Sequence, residues 1–305
     1  MKRALLVSAL VFVACPAPKV EGDGGAGGGG GTAGGGSGST GGGSGATGGG
    51  TASAKSAKRG VAYFFNDERD LTALEPGVSW TYNWSASPSL NERAGVEFVP
   101  MLWNFNFNGP NVIAYLRAHP EVHHVMVLNE PNLVDQANKT PQQAADEWPL
   151  YEAIAADAGV KLVGPQITWG TMPGFSDPVV WMDAFYAAYQ DAHDGGSPRI
   201  DYLGFHWYDY GLGGQLDRLA KYDKPFWVTE MANWHVGDGA AAIDTSAKQV
   251  AQMTEMVATC ESRADVARYA WFTGRKDNGD PHFTSLLADA GVLTEVGETY
   301  VSLPH

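Results

Sequence analysis

From residue 58 onward the chain alternates strand-like apolar runs with helical stretches, and this alternation limits its fold more than any other feature. Strand-like runs fall at 60–66, 78–84, 96–103, 124–129, 161–168, 202–207, 225–230 and 267–272. Helical patterns occupy 110–118, 141–158, 178–192, 215–221 and 245–263. Three of these begin at Pro, a favoured first helical position. Strands alternating with helices pair in parallel and have both faces covered. Eight such strands, in a length near the ~250 residues typical of the type, predict a closed (β/α)8 TIM barrel forming one α/β domain at 58–305. The competing architecture is an open doubly wound sheet, which wants a glycine-rich phosphate turn after its first strand. This chain has Phe65-Asn66-Asp67-Glu68 there, which argues against a bound nucleotide.

The residues ahead of this pattern are of a different kind. Met1-Lys2-Arg3 is basic, and an apolar run from Ala4 to Ala14 follows it. This is the pattern of a secretory signal at 1–15, too short to span a membrane permanently. Ala14-Cys15 resembles a bacterial lipobox, in which the Cys becomes the lipidated first residue, although Phe12 stands where that pattern favours Leu. An ordinary signal peptide with a nearby cut is the alternative. Residues 22–57 are almost wholly Gly, Ser, Thr and Ala, with too little apolar surface to offset the entropy of ordering. The stretch 16–57 therefore reads as a flexible linker. The expected location is exported, either as a cell-surface or outer-membrane lipoprotein held through Cys15 or as a secreted protein.

A net charge of −14 argues against a nucleic-acid partner, since such binding rests on Lys and Arg neutralising phosphates. Of the two cysteines, Cys15 lies in the leader, so no disulfide framework is expected. Cys260 falls in a helical pattern and reads as a small buried hydrophobe. The domain is expected to be a monomer.

In a barrel of this kind, catalytic groups stand at the C-terminal ends of strands. The fourth run ends in Asn129-Glu130-Pro131-Asn132 and the seventh in Thr229-Glu230-Met231. Both place a carboxylate at the rim directly after a buried run. A Glu in such a place can also cap a helix or pair with a base, and for Asp67, Glu68 and Asp209 that plainer role is the preferred one. Two carboxylates facing one site can divide acid and base work if their environments differ. Glycosidic cleavage needs that division: one group protonates the leaving oxygen while the other attacks the anomeric carbon. Strands four and seven face each other across a barrel mouth. No metal site is expected. His123-His124 stands at the start of the fourth run, and no HExxH or clustered Cys/His spacing appears. No GxSxG elbow supports a serine esterase.

Five segments together carry a resemblance: Trp80-Thr81-Tyr82-Asn83-Trp84, Val99-Pro100-Met101-Leu102-Trp103, Leu128-Asn129-Glu130-Pro131-Asn132, Phe205-His206-Trp207-Tyr208 and Trp227-Val228-Thr229-Glu230. In this order they resemble glycoside hydrolase family 128 of clan A, the β-1,3-glucanases of the alkali-sensitive linkage protein type, across nearly all of 59–303. The resemblance implies a retaining hydrolase with Glu130 as acid/base and Glu230 as nucleophile, cutting β-1,3-glucan internally and needing no cofactor. It further implies that Asn129 bonds the sugar 2-hydroxyl and that Tyr208 donates to the nucleophile. Trp271 would be the platform beneath the reactive sugar. His206, two residues before Tyr208 and on the same strand face, is expected either to line the site or to be a satisfied core histidine. Trp103 and Trp234, at or beyond strand ends, are candidate stacking surfaces for a pyranose. Two other functions stay open at this stage: a barrel that binds a β-glucan or oligosaccharide without cleaving it, and a clan A hydrolase of another β-glycan.

Overall fold

A computed structural model describes residues 55–90, 95–237 and 239–305. The expected signal segment, Cys15, and the linker up to residue 54 lie outside the described residues. Lys55, three residues ahead of the expected domain start, is already tied down, its Nζ donating to the carbonyls of Glu75, Val78 and Gly95 at 3.1, 2.8 and 2.6 Å.

The nine strands of the main sheet all pair in parallel: β1 (Arg59–Ala62), β2 (Trp80–Tyr82), β3 (Glu97–Phe98), β4 (Met101–Leu102), β5 (His124–Val127), β6 (Lys161–Ile167), β7 (Tyr202–Trp207), β8 (Phe226–Met231) and β9 (Val266–Phe272). Their order is β3-β2-β1-β9-β8-β7-β6-β5-β4. The run expected at 96–103 is thus one stave in two pieces. Pro100 has no N–H to give to a ladder, and the chain changes partner around it. Val99 N–H donates to Thr81 O on β2 at 2.9 Å, and Pro100 O accepts from Met126 on β5 at 2.9 Å. One continuous segment therefore joins the two ends of the sheet and closes a barrel of eight staves.

Helices follow the strands as expected, with three differences. The pattern at 141–158 is two helices, α3 (Pro141–Glu147) and α4 (Pro149–Ala158), because Pro149 removes an N–H and restarts the helix at its own first position. Helices α1 (Glu68–Leu74) and α8 (Glu295–Ser302) were not expected at all. Asp67 caps α1, accepting from Arg69 N–H, which is the plain role preferred for it from sequence. The remaining helices are α2 (Gly109–Ala118), α5 (Pro178–Ala192), α6 (Leu212–Leu219) and α7 (Ser246–Ser262). Cys260 is on the buried face of α7 and fully buried. No described helix is long and apolar enough to cross a membrane.

The core has two parts. One lies between sheet and helices; the other fills the barrel and includes Trp80, Tyr82, Val99, Met101, Met126, Val163 and Trp227. Trp80 and Trp227 meet at 5.2 Å between ring centroids, and Arg268 lies over both rings. Gly60 makes room for this plug, since a Cβ there would stand 2.3 Å from the Trp80 ring. Gly204 on β7 likewise admits Gln166, which a Cβ would meet at 2.0 Å. Side chains of one strand alternate between faces. From Trp80 the inward face of β2 therefore continues through Tyr82 to Trp84, from the plug up to the rim.

Candidate active site

Glu130 follows β5 and Glu230 lies within β8, as expected. The chain does not leave β5 in regular strand geometry. Leu128 and Glu130 take φ of 56° and 41°, in the left-handed region that costs a side-chain-bearing residue about 1–3 kcal/mol. Backbone bonds on both sides hold the turn in place. Leu128 N–H donates to Leu102 O at 2.9 Å, Asn129 to Trp103 O at 2.8 Å, Glu130 to Gln166 O at 2.9 Å, and Gln166 back to Leu128 O at 3.0 Å. On the other wall the β7–β8 register slips by one residue, so that His206 pairs with Glu230. Thr229 beside it donates to Gln166 Oε1 at 2.6 Å.

These backbone devices bring two buried carboxyl groups and one imidazole together. Glu130 is 8% exposed, Glu230 4% and His206 0%. One atom from each lies within 4.8 Å of the others. His206 Nδ1 is 2.8 Å from Glu130 Oε1 and 3.5 Å from Glu230 Oε2. The two glutamates are otherwise unlike. Glu230 Oε1 accepts from Tyr82 OH at 2.9 Å and from Trp84 Nε1 at 2.8 Å, while Oε2 accepts from Tyr208 OH. An ionised carboxylate, acceptor-only, has lone pairs for all of these donors. Burial first, and then the Glu230 charge, push both tyrosine hydroxyls well above their ordinary range, so they remain donors. Burial also raises the Glu130 pKa; the His206 contact opposes the rise and the Glu230 charge adds to it. For His206 burial opposes the charged form, but Glu230 and Glu130 outweigh it and the pKa lies above the ordinary imidazole value.

Glu130, His206 and Glu230 also form a donor set that a divalent cation could use. As arranged, both oxygens of Glu230 accept hydrogen bonds from neutral donors.

Asn129 is buried and donates through Nδ2 to Gln136 at 3.1 Å, while its Oδ1 has no partner among the described residues. A buried acceptor left unmatched costs about 1–3 kcal/mol, so this oxygen is suited to a hydroxyl brought by a ligand. Trp103 is half-buried at the rim beside Asn129. Trp234 stacks on Tyr208 at 3.9 Å and meets the edge of Phe272 at 5.5 Å.

Trp271 is a correction. It is fully buried on the outer side of β9, with its Nε1 donating to Thr284 O at 2.8 Å and its ring against Tyr300, so no sugar can reach it. The next residue points the opposite way, as strand alternation requires. Phe272 is the ring that faces the site, in contact with Trp84, Tyr208 and Trp234. Tyr82, Trp84 and Phe272 were not assigned roles from sequence. Period-two spacing of Trp80, Tyr82 and Trp84 was the available signal for the first two.

A family model described as a glycosyl hydrolase catalytic core matches residues 60–300. Among solved structures, the chain is 57% identical to a subgroup II endo-β-1,3-glucanase of glycoside hydrolase family 128 from Pseudomonas viridiflava, over 83% of this chain and 100% of that one, with a TM-score of 0.80. A subgroup II endo-β-1,3-glucanase from Sorangium cellulosum is 33% identical over 81% of this chain and 99% of that one, with a TM-score of 0.68. A subgroup I endo-β-1,3-glucanase from Amycolatopsis mediterranei, in complex with laminarihexaose, is 26% identical over 82% and 100%, with a TM-score of 0.63. A search of curated protein sequences gave no match.

The geometry sets the direction of two titrations. In a carboxyl-carbon NMR titration, Glu130 should titrate above the ~4.3 of an ordinary glutamate. His206→Leu removes the contact that pulls this value down, so the Glu130 midpoint should move higher still. A midpoint that is unchanged or lower in the variant would contradict the arrangement.

Proposed function

Because the chain belongs to glycoside hydrolase family 128, we propose that it cleaves β-1,3-glucan internally by double displacement, with Glu230 as nucleophile and Glu130 as acid and base. One observation carries the mechanism. Two buried carboxyl groups approach within 4.8 Å, one held by three donors and the other with its pKa raised. That approach is compatible with the carboxyl separation of about 5–5.5 Å that double displacement uses.

In the first step an oxygen of Glu230 bonds to the anomeric carbon. The bond from that carbon to the leaving sugar oxygen breaks, and Glu130 gives its proton to that oxygen. The product is a glycosyl ester of Glu230, which is neutral. The Glu230 charge that helped to raise the Glu130 pKa is then gone, so Glu130 becomes a better carboxylate when a base is next required. In the second step Glu130 takes a proton from water, the water oxygen bonds to the anomeric carbon, and the ester bond to Glu230 breaks. Configuration is retained after two inversions. Phe272 offers an apolar ring for a pyranose, whereas the Trp234 ring is already covered by Tyr208 and Lys276; Asn129 Oδ1 offers an acceptor for the 2-hydroxyl. Internal cleavage is supported by the 57% identical relative, an endo-acting enzyme. We also infer from residues 1–15 that the enzyme is exported, tethered by a lipid at Cys15 through the linker that follows.

Azide separates the roles of the two glutamates. Glu130→Gln should lower kcat on β-1,3-glucan by about 10²–10⁴-fold. With an aryl β-glycoside of good leaving ability, azide should restore turnover of this variant and give the β-glycosyl azide. Glu230→Gln should give the α-azide, if it is rescued, by a single attack from the vacated side. The opposite pairing of products would reverse the assignment, and a wild type inactive on every β-1,3-glucan would leave a binding barrel. For the tether, Cys15→Ser should move the protein from the membrane to the soluble fraction; an unchanged distribution would leave a plain signal peptide.

A further inference from the structure

Beyond β9 the chain makes a turn at residues 280–285 that presents an aromatic ring to solvent. Phe283 is 39% exposed and has a φ of 57°. A bulky side chain in the left-handed region is a strained choice, and such strain gathers at functional sites. Both neighbours are locked. His282 is buried, with its Nδ1 3.0 Å from Ile243 O and its carbonyl accepting from Gln249 at 2.7 Å. Thr284 is fully buried; its carbonyl accepts from Trp271 at 2.8 Å, and its hydroxyl donates to Asp280 at 3.1 Å. Asp280 also takes the Ser285 N–H at 2.6 Å. Held at both sides, Phe283 has nowhere to turn but outward.

The ring forms part of the wall of a cleft of about 470 Å³, whose lining also includes Lys276, Asp277, Asp280, Ser246 and Glu295. Ser246 begins α7 and Glu295 begins α8, the helices that follow β8 and β9. The cleft therefore opens on the same rim as the catalytic pair. Lys276 links the two places. It lines the cleft, and its Nζ lies 4.4 Å from the Trp234 ring, which stacks on the tyrosine that donates to Glu230. With Arg275, the lining carries two bases and three carboxylates, so its charges nearly cancel. A flat apolar ring among hydrogen-bonding groups of mixed sign suits a neutral polyhydroxy ligand.

We propose that this cleft is an additional binding subsite for the β-1,3-glucan chain, with Phe283 as the stacking platform for a glucosyl unit remote from the scissile bond. This rests on the glucanase reading above. Binding energy gained there reaches only substrates long enough to span from the catalytic pair to Phe283.

The test compares linear β-1,3-gluco-oligosaccharides of three and six units. Asn tolerates the left-handed region, so Phe283→Asn removes the ring without adding backbone strain. The ratio of kcat/KM for the hexamer to that for the trimer should fall by about tenfold in Phe283→Asn, on the scale of one aromatic contact. The trimer rate normalises for active enzyme. Phe283→Tyr, which keeps a flat ring, should retain the wild-type ratio. An Asn variant whose ratio stays within about twofold of wild type, against the tenfold scale of such a contact, would overturn the proposal. So would a Tyr variant that loses as much as Asn, or a wild type with no preference for the hexamer. A wild type inactive on both oligosaccharides would overturn the glucanase reading itself.

Discussion

Two carboxylates buried within 4.8 Å of each other cannot both carry a charge cheaply. At an effective dielectric of about 20, full charges at that distance repel by roughly 3–4 kcal/mol. The site resolves this through an asymmetry of donors. Glu230 takes Tyr82, Trp84 and Tyr208, whereas the side-chain partner of Glu130 among the described residues is the shared imidazole of His206. Hydrogen bonds to a charged group contribute about 1.5–3 kcal/mol each, so three of them favour a charged Glu230 more than one contact favours a charged Glu130. Burial raises the Glu130 pKa, which favours its protonated form. In the proposed mechanism the chemistry follows from position, with Glu230 attacking and Glu130 protonating the leaving oxygen.

That asymmetry depends on the barrel holding donors from different strands at fixed places. Tyr82 and Trp84 come from the end of β2, His206 and Tyr208 from β7 and the residue just beyond it, and Glu230 from β8. Below them the Trp80–Trp227 plug closes the interior. Each large aromatic buries about 150–250 Å², worth roughly 4–6 kcal/mol of gross transfer energy. Burial on this scale can offset the several kcal/mol that a buried charge and left-handed backbone turns cost. The strained residues Trp84, Leu128 and Glu130 stand at the site itself, with Glu130 and Leu128 fixed by bonds to β6 and β4.

The eight staves and both glutamates were legible in the sequence because each signal is local. An apolar run with a carboxylate at its end needs no knowledge of distant partners. Third-strand closure was hidden, since Pro100 marks a break but not the change of partner across it. The helix break at Trp148-Pro149 was written in the chain, and the apolar periodicity on either side concealed it. Helix α8 follows a hairpin, β10 (Leu287–Asp289) with β11 (Val292–Leu293), that interrupts the simple strand-to-helix rhythm. At the site, Trp271 was assigned inward by family likeness, yet strand alternation turns it out against Tyr300 and brings Phe272 in. Which of two adjacent aromatics faces the mouth depends on strand register, and register is set by partners far away in the chain. His206 was left between two roles for the same reason. Only the slip between β7 and β8 sets it against both carboxylates.

In the proposed mechanism the donor network makes Glu230 the nucleophile and Glu130 the acid. The most direct measurement is proton NMR of the anomeric signals during the first minutes of β-1,3-glucan hydrolysis, before mutarotation. Double displacement predicts that the β-anomer of the new reducing end appears first and the α-anomer follows only as the sugar equilibrates. Initial appearance of the α-anomer would mean a single inverting displacement by water, and would contradict the account.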